Sequence, residues 1–348
     1  LDPAARDDYG FRVPELSEEP GCYEDAYRTW LRGEHPDLVE TFTVPRPMSP
    51  ERHREFKRFK VLDAPWEASH SGWVATQACR YLGAWGPRRG SQFLHLGFYA
   101  PHPPLNPTRD MFEPYVDREL PEPLWSEGDW AGATDLDAAT LMDYRRHFYA
   151  MVTGVDMAVG KIVDELQRLG QLDDTLIVFT SDHGDLCGDH GRVSKGTSYY
   201  DGIMRLPWIL HWPAGLPAGG RRVDDLVEMV DVLPTLLELC GIPRHPAMQG
   251  RSYAGALLSG EAVEGRRDVY AVHAPGQLML RTETEKYLCY VEGDNCREVL
   301  YDLQGDPGEF ENRADDPACA ATLRRLRDRM LVRTVAASNS IHDVRLRF

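Results

Sequence analysis

No apolar run in this 348-residue chain reaches the ~18 residues that a membrane-crossing helix needs. Positive charge is also short. Against 39 Lys and Arg stand 55 Asp and Glu, for a formal charge of -16. A surface of that sign repels a phosphate backbone, so nucleic acid is not an expected partner. Net charge speaks to steering, however, and leaves room for a local basic pocket. Seven cysteines, at 22, 79, 187, 240, 289, 296 and 319, contain no Cys-x-x-Cys pair. Odd in number and scattered, they favour free thiols in a reducing compartment, which points to the cytoplasm. No internal repeat is visible. Hydrophobic residues at 42% and charged residues at 27% fit a globular chain of one large or two modest domains.

Residues 1 to about 66 are rich in Pro, Glu and Arg and weakly periodic. They read as irregular, with short helices near 23–32 and 50–58. Ser69 to Leu82 reads as a helix with Trp73, Ala75, Cys79 and Leu82 inward. Gln92 to Phe98 has the apolar content of a buried strand. A long helix is expected over 135–169, since Val152, Val155, Val159, Ile162, Val163 and Leu166 recur at three and four and Gly170 closes the run. Leu206 to Trp212 is a second strand, and Leu226 to Leu239 a helix. Beyond Gly250 the texture changes. Val269–Val272, Leu278–Arg281, Lys286–Val291 and Val299–Leu303 alternate with turn residues, the pattern of a small antiparallel sheet. A charged helix near 318–332 follows. The expectation is an α/β domain over 1–250, with helices flanking a largely parallel central sheet, and a smaller α+β antiparallel subdomain over 251–348.

The chemistry concentrates at Ser181-Asp182-His183-Gly184-Asp185. An apolar strand, Thr175 to Thr180, runs into a carboxylate and an imidazole on a tight turn. Ligands in open α/β sheets sit at that end of a strand. Asp182 and His183 are therefore a candidate metal pair for Ca²⁺, Mn²⁺ or Zn²⁺; the plainer reading is an ordinary turn. Lys195 could bind an anionic group or neutralise a leaving alkoxide, or be a solvated lysine. His190, in Gly188-Asp189-His190-Gly191, is a substrate-binding candidate or a turn support. His102, in Pro101-His102-Pro103-Pro104, could donate a proton to a leaving oxygen, or be an exposed loop histidine. Asp231 reads as a helix N-cap, and the strand-turn from Tyr301 to Glu309 as structural.

These residues, taken together and in order, resemble the sulfatases of the alkaline phosphatase superfamily, alongside the phosphonate monoester hydrolases. Ser181-Asp182-His183-Gly184, Gly188-Asp189-His190-Gly191 and Lys195 resemble the family's second metal-site motif. Leu94-His95-Leu96-Gly97-Phe98 with Pro101-His102-Pro103-Pro104 resembles its substrate-side histidine loop. Asp231-Val232-Leu233-Pro234-Thr235-Leu236-Leu237 with Gly241-Ile242-Pro243 resembles its next helix and turn. Gln249-Gly250-Arg251-Ser252, Lys286-Tyr287 and Leu300-Tyr301-Asp302-Leu303 with Asp306-Pro307 and Glu309 resemble its C-terminal subdomain. The resemblance implies that Asp182 and His183 ligate one divalent cation, Ca²⁺ before Mn²⁺ or Zn²⁺. It also implies that Lys195 and His102 contact the sulfate or phosphate group and assist the leaving oxygen. The substrate class is a small anionic ester: a sulfated aryl, alkyl or sugar compound.

The family's nucleophile is a Cys or Ser in a Cys/Ser-x-Pro/Ala-x-Arg motif, oxidised to formylglycine in true sulfatases. No cysteine here has Pro or Ala at +2 with Arg at +4; in Cys240-Gly241-Ile242-Pro243-Arg244 the proline is one place late. The acidic pair of the family's first strand has no counterpart either, since no apolar strand precedes Asp7-Asp8. The expectation is a chain that starts inside a longer family member, lacks the formylglycine segment and turns over little on its own. A phosphonate monoester or phosphodiester hydrolase is the alternative within the superfamily. A non-catalytic relative that binds anionic glycans is the alternative outside enzymology.

Overall fold

A computed structural model of the chain describes residues 11–18, 23–43, 59–85, 90–125, 137–196, 198–259, 266–273 and 276–342. Contacts divide the chain into two units. One comprises Leu1–Glu122 with Asp135–Leu172, the other Pro123–Thr134 with Asp173–Phe348. The textural change near residue 250 therefore falls inside the second unit. Asp7, Asp8, Cys22 and the helix expected near 50–58 lie outside the described residues. No helix among the described residues is long and apolar enough to cross a membrane.

In the first unit, helix α1 (Ala26–Glu34) starts where Asp25 accepts a hydrogen bond from the Arg28 amide at 2.8 Å. That bond satisfies one of the donors a helix start leaves open. Its apolar face buries Tyr27 and Leu31 against Ala68, Trp73 and Val74. The Tyr27 hydroxyl donates to the Ala68 carbonyl at 2.8 Å. Helix α2 (His70–Trp85) buries Trp73, Ala75 and Leu82 as expected. Helix α3 (Ala138–Arg168) is capped by Asp137 and followed by Gly170 at φ +66°. Val155 and Leu166 of the expected pattern are buried, but small residues share the inward stripe. Ala150, Gly154 and Ala158 are buried, while Val152 is 44% exposed. Small residues win because a neighbour stands so close: a Cβ on Gly154 would lie 2.7 Å from the Met111 methyl.

Gln92–Phe98 is not a buried strand. The segment carries no strand assignment, and Phe93 is 73% exposed. Only Leu96 and Phe98 pack on the α1–α2 core. Apolar content alone did not distinguish a paired strand from an extended segment with no ladder partner.

His70 packs against Tyr27, Trp73 and Tyr99. Burial lowers its pKa from 6.5 to about 4, because an apolar surround disfavours the imidazolium. Between those pH values the unfolded chain binds a proton that the folded one refuses. Stability therefore falls as pH drops through that window, by roughly 2 kcal/mol after allowance for partial solvent access. The expected result is a lower thermal midpoint at pH near 4.5 than near 7, with part of the loss removed in His70→Phe; equal slopes in both proteins would contradict it.

The second unit holds two antiparallel sheets. Strand β1 (Ile177–Thr180) pairs with β2 (Trp208–His211) in the register Ile177↔His211 to Thr180↔Trp208. None of the ladders among the described residues is parallel; the one parallel pairing there is an isolated bridge, Leu62↔Thr108, in the first unit. The parallel central sheet expected from the sequence is thus not displayed by these ladders. An apolar run fixes a strand, but not the direction of its neighbour. The C-terminal expectation is met strand for strand: β3 (Val269–Val272), β4 (Gln277–Arg281), β5 (Glu285–Glu292) and β6 (Asn295–Asp302) form a four-stranded meander. Period-two alternation sends Leu280, Tyr287 and Leu300 to one face. There they meet Leu323, Leu326 and Met330 of helix α5 (Ala320–His342). Met279, Leu288 and Val299 line the other face with Tyr199 and Tyr301.

Helix α4 (Val232–Leu239) carries Pro234 in its first turn, where a missing amide costs nothing. Asp231 is not a cap of the expected kind. Glu228 is the N-cap of the preceding turn, and Asp231 reaches back to the Glu228 amide at 2.7 Å. Its other oxygen accepts from the Arg251 amide at 2.7 Å, and both oxygens accept from Arg266. The missed signal was Glu228, three residues earlier, which makes a capping box.

Candidate functional site

Strand β1 delivers its last residues onto a turn that folds upon itself. The Asp182 carboxylate accepts the His183 amide at 2.9 Å, and Ser181 Oγ donates to the His183 carbonyl at 2.9 Å. His183 Nδ1 lies 2.8 Å from the Gly184 carbonyl. A carbonyl only accepts, so the proton sits on Nδ1 and the lone pair of the neutral ring is on Nε2. That nitrogen is 3.6 Å from Asp182 Oδ2 and 3.0 Å from Lys195 Nζ. Asp182 is 86% exposed and His183 34%, so this convergence is open to solvent. The Asp182 carboxylate and the Lys195 ammonium thus both lie beside Nε2 of His183.

Gly184 holds the turn in place. Its amide donates to the Ile203 carbonyl at 2.8 Å. A Cβ there would stand 2.0 Å from the Gly202 carbonyl oxygen, so no other residue allows the approach. The loop that follows is strained. Cys187, His190 and Ser194 all have positive φ, at 47°, 54° and 71°, a cost that clusters at functional sites. His190 helps hold it. Its ring is buried and stacks on Tyr200 at 3.6 Å and 12°, with Phe310 at 5.2 Å. Its amide donates to the Leu124 carbonyl at 2.6 Å. This packing supports turn support, the second of the two roles read for His190.

His102 belongs to the first unit, whereas Asp182, His183, His190 and Lys195 belong to the second. Its ring is exposed and lies against Tyr99, with centroids 4.7 Å apart. Nδ1 sits 2.8 Å from the Pro103 carbonyl, and the Tyr99 hydroxyl donates to the same carbonyl at 3.0 Å.

Sequence reasoning missed a buried ionic cluster around Lys286. Lys286 on β5 has no exposed surface. Its ammonium donates to Tyr199 O at 2.8 Å and Asp201 Oδ1 at 2.6 Å, and pairs with Glu309 Oε1 at 2.5 Å. Glu309 Oε2 also accepts the Asp201 amide at 2.6 Å, and Arg281 lies 3.3 Å from both Asp201 oxygens. Burial pushes the Glu309 carboxyl up from its usual range, and Lys286 counters it. Asp201 is held below its usual range: burial opposes this, and Lys286 and Arg281 outweigh it. The one signal available was a lysine inside an apolar strand. Its partners stand 85 and 23 positions away, beyond any spacing rule.

As a cation site, Asp182 and His183 supply one hard oxygen and one nitrogen, a mixed set suited to divalent metals. Among the described residues no group of three or more His, Cys, Asp and Glu side chains is placed to hold a metal. The two residues fit as part of a shell that other groups must complete.

The sulfatase family model matches residues 67–242, and a family described as N-sulphoglucosamine sulphohydrolase, C-terminal, matches residues 188–335. An arylsulfatase of Clostridium perfringens is 30% identical over 274 residues, covering 72% of this chain and 56% of that protein. A multifunctional alkaline phosphatase superfamily protein of Trinickia caryophylli is 30% identical over 305 residues, covering 75% of this chain and 58% of that one. A phosphonate monoester hydrolase of Agrobacterium radiobacter shares the fold, with a TM-score of 0.75 at 23% identity over 91% of this chain and 70% of the other. The chain thus spans a little over half the length of the curated relatives it matches.

Proposed function

Because the chain belongs to the sulfatase family, we propose that it forms part of a metal-dependent hydrolase of sulfate esters, and that Asp182, His183 and Lys195 are its anion-facing groups. The observation that carries this reading is the tautomer of His183 set by the Gly184 carbonyl, which leaves the Nε2 lone pair 3.0 Å from Lys195 Nζ and 3.6 Å from Asp182 Oδ2. Asp182 and His183 would hold the divalent cation, Ca²⁺ by preference. When bound, that cation supplies positive charge for an ester oxygen. Lys195 binds the anionic group through its ammonium donors and stabilises negative charge on the leaving oxygen. His102, as the resemblance implies, would assist the leaving oxygen. His190 positions the loop by packing. In this reading β1 belongs to a largely parallel central sheet, a view supported by the fold shared with the phosphonate monoester hydrolase.

The family's formylglycine finds no fit among these residues, because no cysteine stands in a Cys-x-Pro/Ala-x-Arg setting. No step is derived through it. The 348 residues therefore bind the ester without turning it over. The test is calorimetric titration of an aryl sulfate and of a phenyl phosphonate monoester with Ca²⁺ present, with an activity assay in parallel. Loss of a hydrogen bond to a charged group costs about 1.5–3 kcal/mol, so Lys195→Ala should weaken sulfate-ester binding by roughly tenfold or more. Tighter binding of the phosphonate would favour the alternative within the superfamily. Sulfated-glycan binding that ignores the metal would favour a non-catalytic role. Robust turnover by the chain would show that a nucleophile lies among these residues after all.

A further inference from the structure

The β5–β6 hairpin carries two cysteines that the site does not use. The strands pair Cys289 with Glu298 and Val291 with Cys296. Successive side chains alternate between the faces of a sheet, so 289, 291, 296 and 298 share one face. Cys289 and Cys296 are diagonal neighbours on that face, and their sulfurs stand 2.6 Å apart. Cys289 is buried and Cys296 exposed, so one thiol meets solvent and the other waits behind it. No disulfide joins the six described cysteines.

We propose that Cys289 and Cys296 are a thiol pair that closes to a disulfide when the protein meets a small-molecule disulfide such as oxidised glutathione. The Cys296 thiolate attacks one sulfur of the oxidant. This forms a mixed disulfide and releases one glutathione thiolate, which takes up a proton. Cys289 then loses its proton and attacks Cys296 Sγ; the Cys289–Cys296 bond forms and the second glutathione leaves as its thiol. Two protein thiols are oxidised and one oxidant disulfide is reduced, so atoms and electrons balance. The order of attack follows from access and acidity. Burial, and after it the hydrogen bond and charge of Cys296, push the Cys289 thiol up to about 12. The last two causes disappear once Cys296 is capped, which eases the second step. The product ties the two strands together at the hairpin tip. Those same strands carry Lys286 and Tyr301 at their other end, so the link stiffens the strand pair that holds Lys286.

The test uses the full 348-residue chain, incubated with oxidised glutathione at about pH 8, where thiolate is abundant, then alkylated and digested. Trypsin leaves both cysteines in one peptide, Tyr287 to Arg297, whereas cleavage after Glu292 separates them. The expected result is a cross-linked pair of peptides after Glu-specific digestion, resolved by dithiothreitol. Cys289→Ser should leave Cys296 as a stable glutathione adduct, as expected for the exposed Cys240. The proposal is overturned if the unsubstituted protein shows Cys296 as a glutathione adduct with Cys289 still a thiol, or shows both alkylated. The peptide map of the unsubstituted protein decides the matter even if the variant fails to fold.

Discussion

Replacing Lys286 with Met should destabilise the chain by about 3–5 kcal/mol, the cost of breaking a buried ion pair from one side. The substitution keeps the stem of the side chain, so little packing is lost. What it removes is the one ammonium that faces both Asp201 and Glu309. Arg281 remains on Asp201, but nothing of comparable geometry remains on Glu309 Oε1. The defect should depend on pH. Glu309 is already pushed up by burial with Lys286 in place, and without it the folded-state pKa rises further above the unfolded value of about 4.3. An acid whose folded pKa is raised binds more protons folded than unfolded in that window, so stability recovers as pH falls. Urea unfolding near pH 5 should therefore show a smaller loss than near pH 8. A loss under about 1 kcal/mol at both values would mean that the cluster is solvated rather than buried. The effect should reach the site loop, because Lys286 holds the Tyr199 carbonyl and the adjacent Tyr200 stacks on His190.

The second large effect is on the cation. Loss of an outer-shell partner typically lowers metal affinity 10–100-fold, so removal of a proposed ligand in His183→Ala should cost about a hundredfold or more. Asp182→Ala should do the same while leaving the fold intact, since its side chain is 86% exposed. Lys195→Ala should act with the opposite sign on the metal. Its ammonium lies 3.0 Å from the Nε2 lone pair that a cation would take, and two positive charges at that range repel each other. Removing it should tighten cation binding and weaken anion binding. A general unfolding of the loop would weaken both, so the divergence identifies direct roles. Calorimetry with Mn²⁺ and with sulfate separates the two outcomes.

The candidate site's residues could be read together because they are local. Asp182 and His183 are adjacent, and Lys195 follows on the same loop, so strand, turn and charge could be read in one segment. The meander was legible for a similar reason: two-residue alternation between turn residues states each strand, and short connections force antiparallel neighbours. What the sequence hid is long-range. Nothing in Leu206 to Trp212 says that β2 runs against β1. Nothing in Lys286 names Asp201 or Glu309, and nothing in Cys289 or Cys296 says that their strands pair in the register that brings them together. Helix α3 was read in part: Val155 and Leu166 are buried as its period implies. Its valines keep the helical period, but its closest packing goes to Ala150, Gly154 and Ala158, which leave room for Met111. His190 was open between two roles because its sequence neighbourhood carries the site motif, whereas its ring is buried and stacks on Tyr200.

Titration of the 348-residue chain with Mn²⁺, followed through the imidazole signals of its histidines, tests the central claim directly. Paramagnetic broadening reports proximity even when binding is weak, so an incomplete ligand shell does not obscure it. His183 should broaden first and at the lowest Mn²⁺ concentration, with Asp182→Ala suppressing the effect. If His183 keeps its linewidth while His102, His211 or His245 broadens, the cation does not sit between residues 182 and 183, and the account of this site is wrong.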